Sequence, residues 1–344
     1  MTTGIWSIGA AVLAFVISAV VGKFLIPVLH RMKYGQTILD IGPSWHKKKQ
    51  GTPTMGGIMF IVAIVISTGV AILLLNLFGK VYEPTGYSLK KETFCVLISL
   101  GMSVLYGVVG FIDDYIKVVK KRNLGLTAKQ KLVMQFGIAI VYVAVNAIFG
   151  YGSTTYIPFF GNVELGSFAI TYYIISVIII VGIVNAVNLA DGIDGLVGSE
   201  TFFVGLAYMV IASMMTQPCS TIISAAVSGG CLGFLVWNFH PAKVFMGDTG
   251  SLFLGGIVCA IAFGMNMPII LVPLALIYLI EMFSVILQVS YFKLTHGKRL
   301  FKMSPIHHHF EKCGWSEVKI VVVFSTFTAV VGACVALWVL FGLH

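Results

Sequence analysis

The stretch IMFIVAIVISTGVAILLLNLF, residues 58–78, holds no charged side chain over 21 consecutive positions. As an α-helix at 1.5 Å per residue it reaches about 30 Å, the thickness of the hydrocarbon layer of a bilayer. Working outward, Ile5 to Leu29 forms a second apolar run, with Lys23 as its one charged residue. It is too long for a signal h-region and lacks a charged n-region or a small-residue cleavage site, so it reads as a retained helix. Of the 344 residues, 58% are hydrophobic and 10% charged, against roughly 25% charged in soluble domains. A water-soluble fold is excluded.

Apolar windows bounded by charged or Gly/Pro-rich breaks predict ten transmembrane helices, near 5–29, 55–78, 93–112, 132–150, 168–187, 200–215, 221–238, 251–265, 268–292 and 318–343. The eighth window is short, with a thin Met265-Asn266-Met267-Pro268 connection, and reads equally as half of a hairpin or a re-entrant piece. The expectation is an all-α integral membrane protein, one polytopic domain over residues 1–344. Six scattered cysteines, without a CxxC pair, read as small apolar packing residues.

Basic residues orient these spans, because Lys and Arg accumulate in short cytoplasmic loops. The loop after the first span carries Arg31, Lys33, Lys47, Lys48 and Lys49; that after the third carries Lys117, Lys120, Lys121, Arg122, Lys129 and Lys131; that after the ninth carries Lys293, Lys298, Arg299, Lys302, Lys312 and Lys319. Lys80, Lys90 and Lys91 lie on the opposite side. Both termini are therefore expected outside the cytoplasm, with much of the formal +9 charge on the cytoplasmic face. Setting topology explains much of that charge by itself.

Carboxylates at a membrane edge cost about 2.5–3.5 kcal/mol on insertion scales, so each is a candidate for function. Five aspartates, Asp113, Asp114, Asp191, Asp194 and Asp248, fall at cytoplasmic span ends or in short cytoplasmic loops. Asp113 and Asp114 close the third span, and helical neighbours point about 100° apart, so one can face a cavity while the other is held by a second partner. Anchoring at the interface would account for an isolated pair of this kind. In Asn185-Ala-Val-Asn188-Leu-Ala-Asp191-Gly-Ile-Asp194-Gly195 polar groups recur every third residue. A helical or 3₁₀ continuation would place all four on one face. Asp248 and Thr249, ahead of the eighth span, would serve as helix caps; Gly-Asp-Thr-Gly-Ser also suits Mg²⁺ and phosphate, with hard oxygen ligands and open backbone N–H groups. Three consecutive histidines, His307 to His309, cannot all face one metal on a regular element. Phosphate recognition fits them better than structural zinc. Carboxylates, lysines and histidines together point to phosphoryl transfer, without the GxxxxGK[ST] or GxGxxG loops of soluble nucleotide-binding folds.

In combination, Gly51-Thr-Pro-Thr-Met-Gly-Gly57, Phe111-Ile-Asp-Asp-Tyr-Ile-Lys117, Asn185 to Gly195, Phe245-Met-Gly-Asp-Thr-Gly-Ser251 and Pro305-Ile-His-His-His-Phe-Glu311 resemble the motifs of the polyprenyl-phosphate N-acetylhexosamine-1-phosphate transferases. The resemblance runs in order through most of the chain and is strongest to the bacterial members that act on UDP-MurNAc-pentapeptide. It implies ten spans in the inner (plasma) membrane, a cytoplasmic active site, Mg²⁺ dependence and a homodimer. The implied reaction moves phospho-MurNAc-pentapeptide from UDP to undecaprenyl phosphate, giving lipid I and UMP for peptidoglycan. It assigns Asp248 to Mg²⁺, Asp113 and Asp114 to the catalytic carboxylates, and His307 to the reacting phosphates. Asn188, Asp191 and Phe245 would hold the uridine, Phe245 by stacking. Lys49, Thr54, Lys129, Asp194, Gln288 and His308 would line the nucleotide and sugar region. The chain departs from the pattern at Ala190, where Thr is expected, and at Val323-Phe324-Ser325, where Arg-Phe-Trp is usual.

The expected mechanism is a single in-line displacement, with an aspartyl-phosphate route left open. Two other functions are carried alongside: a GlcNAc-1-phosphate transferase of the same family, and an ion-coupled transporter whose carboxylates relay cations.

Overall fold

The structure, a computed structural model, describes residues 2–31, 51–79, 88–119 and 125–343. Its helices are α1 (Thr2–Arg31), α2 (Gly57–Phe78), α3 (Leu89–Val119), α4 (Ala128–Phe149), α5 (Ala169–Ala190), α6 (Leu196–Met214), α7 (Pro218–Asn238), α8 (Gly247–Gly264), α9 (Leu271–Leu274), α10 (Leu276–Leu294), α11 (Ile306–Lys312) and α12 (Glu317–Phe341). Ten of them, all but α9 and α11, are long and apolar enough to cross a membrane. The protein is a multi-pass membrane protein of all-α type. A two-stranded antiparallel hairpin, β1 (Thr154–Ile157) with β2 (Gly161–Glu164), fills part of the break between α4 and α5.

Several boundaries differ from the sequence expectation, for one physical reason. Hydropathy ends a span at its first polar residues, but here those residues find partners in protein rather than lipid, so the helix continues. Thus α3 runs to Val119 with Asp113 and Asp114 inside it, α5 runs to Ala190, and α8 starts at Gly247, so Asp248 sits in its first turn. The ninth window is divided, with a 3₁₀ turn at Pro268–Ile270 and the short α9 preceding α10.

The eighth window proves to be the centre of the bundle. In α8, 89% of the membrane-length segment is buried. Glycines let its backbone approach its neighbours, as small residues do in membrane bundles. A Cβ on Gly57 of α2 would lie 2.3 Å from the Cα of Gly250, one on Gly110 of α3 would lie 2.0 Å from the carbonyl oxygen of Asp248, and one on Gly255 would lie 2.6 Å from the Cα of Val184 in α5. The same device joins α1 to α7, where Gly229 and Gly233 face the carbonyls of Ala11 and Phe15.

Helix α3 carries a carboxylate towards each end, and each holds the start of another helix. Glu92 accepts the Ser220 N–H of α7 at 2.8 Å. Asp114 accepts the Thr249 N–H of α8 at 2.9 Å. Both satisfy amides left orphaned in a first turn and place negative charge at the positive end of a helix dipole.

Gly57→Ala and Gly255→Ala should each lower the thermal unfolding midpoint of the detergent-solubilised protein, by the equivalent of about 1–3 kcal/mol for overpacking. Gly69→Ala, where an added Cβ meets nothing within 4 Å, should leave the midpoint unchanged or slightly raised. Equal effects at all three positions would contradict the packing described.

Candidate active site

The C-terminal part of α3, the first turns of α4 and α8 and the end of α5 meet at one end of the bundle. There Asp113, Asp114 and Asp248 each bring a carboxylate oxygen within 4.8 Å of the others. Asp113 and Asp114 are 1% and 3% exposed, so their charge needs compensation in place. Two lysines supply it. Lys117 Nζ lies 2.5 Å from Asp113 Oδ2, 2.8 Å from Asp248 Oδ2 and 3.8 Å from Asp114 Oδ1. Lys131 Nζ lies 2.6 Å from Asp248 Oδ2 and 3.6 Å from Asp113 Oδ2.

The three carboxylates differ in what they are free to do. Asp114 is committed to α8, its Oδ2 accepting both the N–H and the hydroxyl of Thr249, at 2.9 and 2.7 Å, and its Oδ1 accepting the Asp248 N–H at 3.3 Å. Asp113 accepts the Leu126 N–H through Oδ1 at 2.7 Å; its Oδ2 lies within ion-pair range of both ammonium groups and, among the described residues, has no aligned hydrogen bond. Asp248 is the most exposed of the three. Asn188 fixes it, donating to Oδ1 at 2.9 Å while also donating to Ser251 Oγ at 2.7 Å.

An all-oxygen set of three close carboxylates, one with a buried oxygen lacking a hydrogen-bond partner, fits a hard divalent cation. Asp248, Asp113 and, less freely, Asp114 are the residues that could hold it.

The motif around Gly51 to Gly57 is pinned beside this cluster by backbone pairing. Phe245 N donates to Pro53 O, Gly56 N to Phe245 O, and Gly57 N to Met246 O. Thr54 Oγ1 and Asp114 Oδ2 converge over Gly247, where an added Cβ would meet them at 2.6 and 2.5 Å; the φ of +70° at this position separately favours glycine. Phe245 stays half-exposed at the rim. Asp191, the residue after α5, is half-buried, with no hydrogen bond among the described residues. Burial above all, with the charges of Asp248, Asp114 and Asp194, pushes its carboxyl up to about 8. His307 on α11 packs onto the same turn, where a Cβ on Gly192 would lie 2.1 Å from Nε2.

Other expected residues go elsewhere. Asp194 does not continue the polar stripe. The chain turns after Asp191, and Asp194 Oδ2 pairs with His240 Nδ1 at 3.2 Å and accepts the Ala242 N–H at 3.0 Å, within a separate group that includes Glu317. Asn185 turns to α4, donating to Gln135 Oε1. Gln288 is occupied by the loop after α10, accepting from the backbone of Leu300 and Phe301 and donating to the Phe301 carbonyl. His308 pairs with Glu311. Lys129 is exposed on the first turn of α4 and takes no part in the cluster's ion pairs. Lys49 lies outside the described residues. Of the departures from the family pattern, Ala190 is buried, and Phe324 packs edge-on against Phe310 of α11. Lys117, Lys131 and Thr249 stand in the sequence reading only as motif, loop or capping residues, with no place in the site, yet all three contact its aspartates. The i+3 and i+4 spacing of Lys117 from the aspartate pair was the available signal.

Because the folded protein holds a proton on Asp191 that the unfolded chain releases near pH 4, this group's stabilisation is complete below about pH 4 and is lost as pH rises through about 8. The unfolding midpoint of the ligand-free protein should therefore decline across that interval through this group, and Asp191→Asn should reduce the decline. An identical slope in the variant would refute the assignment.

Residues 96–266 match the model of glycosyl transferase family 4, and residues 49–61 match the phospho-N-acetylmuramoyl-pentapeptide-transferase signature 1. The chain is 46% identical over 331 residues to the phospho-N-acetylmuramoyl-pentapeptide-transferase of Bacillus pumilus (strain SAFR-032), covering 95% of this chain and 97% of that one. To the protein of the same name in Staphylococcus aureus (strain bovine RF122 / ET3-1) it is 44% identical over 337 residues, 97% and 98% of the two chains. To that of Listeria monocytogenes serotype 4b (strain F2365) it is 43% identical over 329 residues, 94% and 96%. These relatives match nearly end to end: the chain belongs to the phospho-N-acetylmuramoyl-pentapeptide-transferase family.

Proposed function

We propose that the chain transfers phospho-MurNAc-pentapeptide from its UDP carrier to undecaprenyl phosphate, forming lipid I and UMP, at the cytoplasmic face of the plasma membrane, as a Mg²⁺-dependent enzyme and a homodimer. The observation that carries this reading is the convergence of Asp113, Asp114 and Asp248 with Lys117 and Lys131 at one end of the bundle. Carboxylates and ammoniums so arranged suit a diphosphate and a divalent cation. Exposed apolar side chains lie within a residue or two of the polar ones, Phe111 and Tyr115 beside the aspartate pair and Leu189 beside Asn188. One substrate can thus arrive from lipid while the other arrives from water.

A divalent cation held by Asp248 with its neighbours would supply neutralisation of the diphosphate. The chain's own groups account for the rest. Lys117 and Lys131 place positive charge on the carboxylate edge that the phosphates must approach. Asn188 keeps Asp248 oriented, Asp114 keeps α8 in register, and Asp113 Oδ2 is placed to orient the acceptor phosphate or hold its proton. An oxygen of the lipid phosphate attacks the phosphorus that bears the sugar; the bond to the UMP oxygen breaks as the new P–O bond forms, and UMP leaves.

Clustering of Asp113, Asp114 and Asp248 at one end of the helices weighs against an ion relay through these three. A GlcNAc-1-phosphate transferase is separated by assay.

Purified protein should release UMP from UDP-MurNAc-pentapeptide only with both undecaprenyl phosphate and Mg²⁺ present, and release little from UDP-GlcNAc. Preference for UDP-GlcNAc, or ion-coupled uptake without UMP release, would refute the reading. Asp248→Asn and Lys131→Met should each lower kcat by about a hundredfold or more. Rapid quench should trap no phosphoenzyme, and a chiral phosphorus should invert; retention would establish the two-step route.

A further inference from the structure

A second acidic group lies behind the site, unused by the mechanism above. Glu200 on α6 and Glu281 on α10 are both 0% exposed. The two helices are tied beside them by a 2.9 Å hydrogen bond between Thr201 Oγ1 and Tyr278 Oη. Tyr278 stands one helical turn before Glu281, and Thr201 directly follows Glu200. Among the described residues, both oxygens of Glu200 and Oε1 of Glu281 are buried without a hydrogen-bond partner. The remaining oxygen, Glu281 Oε2, points to α11. It accepts the His307 N–H at 3.4 Å and lies 3.1 Å from His307 Nδ1, within ion-pair range although out of hydrogen-bond alignment. His307 is itself 0% exposed, and its unpartnered Nε2 rests on Gly192, the neighbour of Asp191.

A buried carboxylate without a polar or charged partner is costly in a membrane-spanning bundle. Among the described residues, His307 is the one group paired with these two acids that can carry positive charge. Glu281, rather than Glu200, is therefore the carboxylate that faces an ionisable partner. An apolar pair would fill these positions more cheaply in a membrane-spanning bundle, and acids kept there mark function.

We propose that Glu281 is the positioning residue for His307, holding its Nδ1 proton so that Nε2 is presented at the Asp191–Gly192 turn. This rests on the reading of His307 as a phosphate-facing group. With Nδ1 held by a carboxylate, the ring is fixed with Nε2 facing the turn, as carboxylate–histidine pairs fix tautomer and orientation elsewhere. The other ionisable groups around His307 are Glu200, beyond Glu281, Asp191, next to Gly192, and His308, whose ring centroid is 4.1 Å away.

The test uses the full chain in lipid nanodiscs with ¹⁵N-labelled histidine. Of the eight histidines, His307 is assigned by the signal missing in His307→Gln. We expect Glu281→Gln to shift the His307 ring ¹⁵N resonances, because Nδ1 then loses its carboxylate partner. It should reduce kcat 10- to 100-fold, with the KM for the UDP substrate little changed, and Glu281→Asp should restore part of both. Glu200→Gln should leave the His307 resonances in place. Unaltered His307 resonances in a folded Glu281→Gln protein would overturn the proposal. Should that variant not fold, a Glu281→Asp protein whose His307 resonances and turnover match those of the unmodified chain would do the same. The ¹⁵N resonances read the Glu281–His307 pair without reference to turnover, whereas absence of UMP release from the unmodified protein would count against the function.

Discussion

The interaction on which the site depends is the carboxylate of Asp114 lying across the start of α8. Three donors from the first turn of that helix end on its two oxygens. Through them α8, the most buried helix of the bundle, is fixed in depth and rotation against α3. That register brings Asp248 beside Asp113 and sets Gly247 beneath Thr54. The backbones can meet so closely because glycine occupies positions 57, 110 and 255. A helix placed by a buried charge-assisted contact at one end and glycine contacts along its length has little freedom to slide, and a site that binds diphosphate needs that rigidity.

The electrostatics follow from the same placement. Three carboxylates within reach of one another would repel strongly at a membrane edge, and Lys117 and Lys131 offset most of that repulsion in the absence of ligand. The remaining excess of one negative charge is small enough for the ligand-free bundle to hold together. It still leaves the cluster attractive to a divalent cation. With a cation held there, the lysines would be available to phosphate oxygens, so under the proposed function the same residues would serve stability without substrate and recognition with it.

Much of this was legible in the sequence. Uninterrupted apolar windows revealed ten spans because a bilayer demands continuous hydrophobic length, and the costly aspartates marked the end of the bundle where three of them cluster. Helix limits were less legible, since hydropathy reads lipid and the polar ends of α3, α5 and α8 are covered by protein. Asp194 left the stripe because periodicity cannot foresee the turn at Asp191–Gly192. Gln288 proved occupied because a side chain's partner across a loop leaves no trace in spacing. Lys117 and Lys131 were hidden among basic residues that topology alone explains. Glu200 and Glu281 did carry a signal, being acids inside or at the edge of apolar windows. They were overshadowed by aspartates that fell in recognisable motifs.

The central claim is that Asp113 and Asp248 form one cation and diphosphate site. It is tested most directly by pulsed electron paramagnetic resonance on the protein loaded with Mn²⁺ and the UDP substrate. The account predicts one bound Mn²⁺ per chain with a resolved coupling to substrate ³¹P, both lost in Asp248→Asn. A protein that binds the UDP substrate normally while showing no bound Mn²⁺, or whose Mn²⁺ and ³¹P coupling persist unchanged in Asp248→Asn, would contradict it.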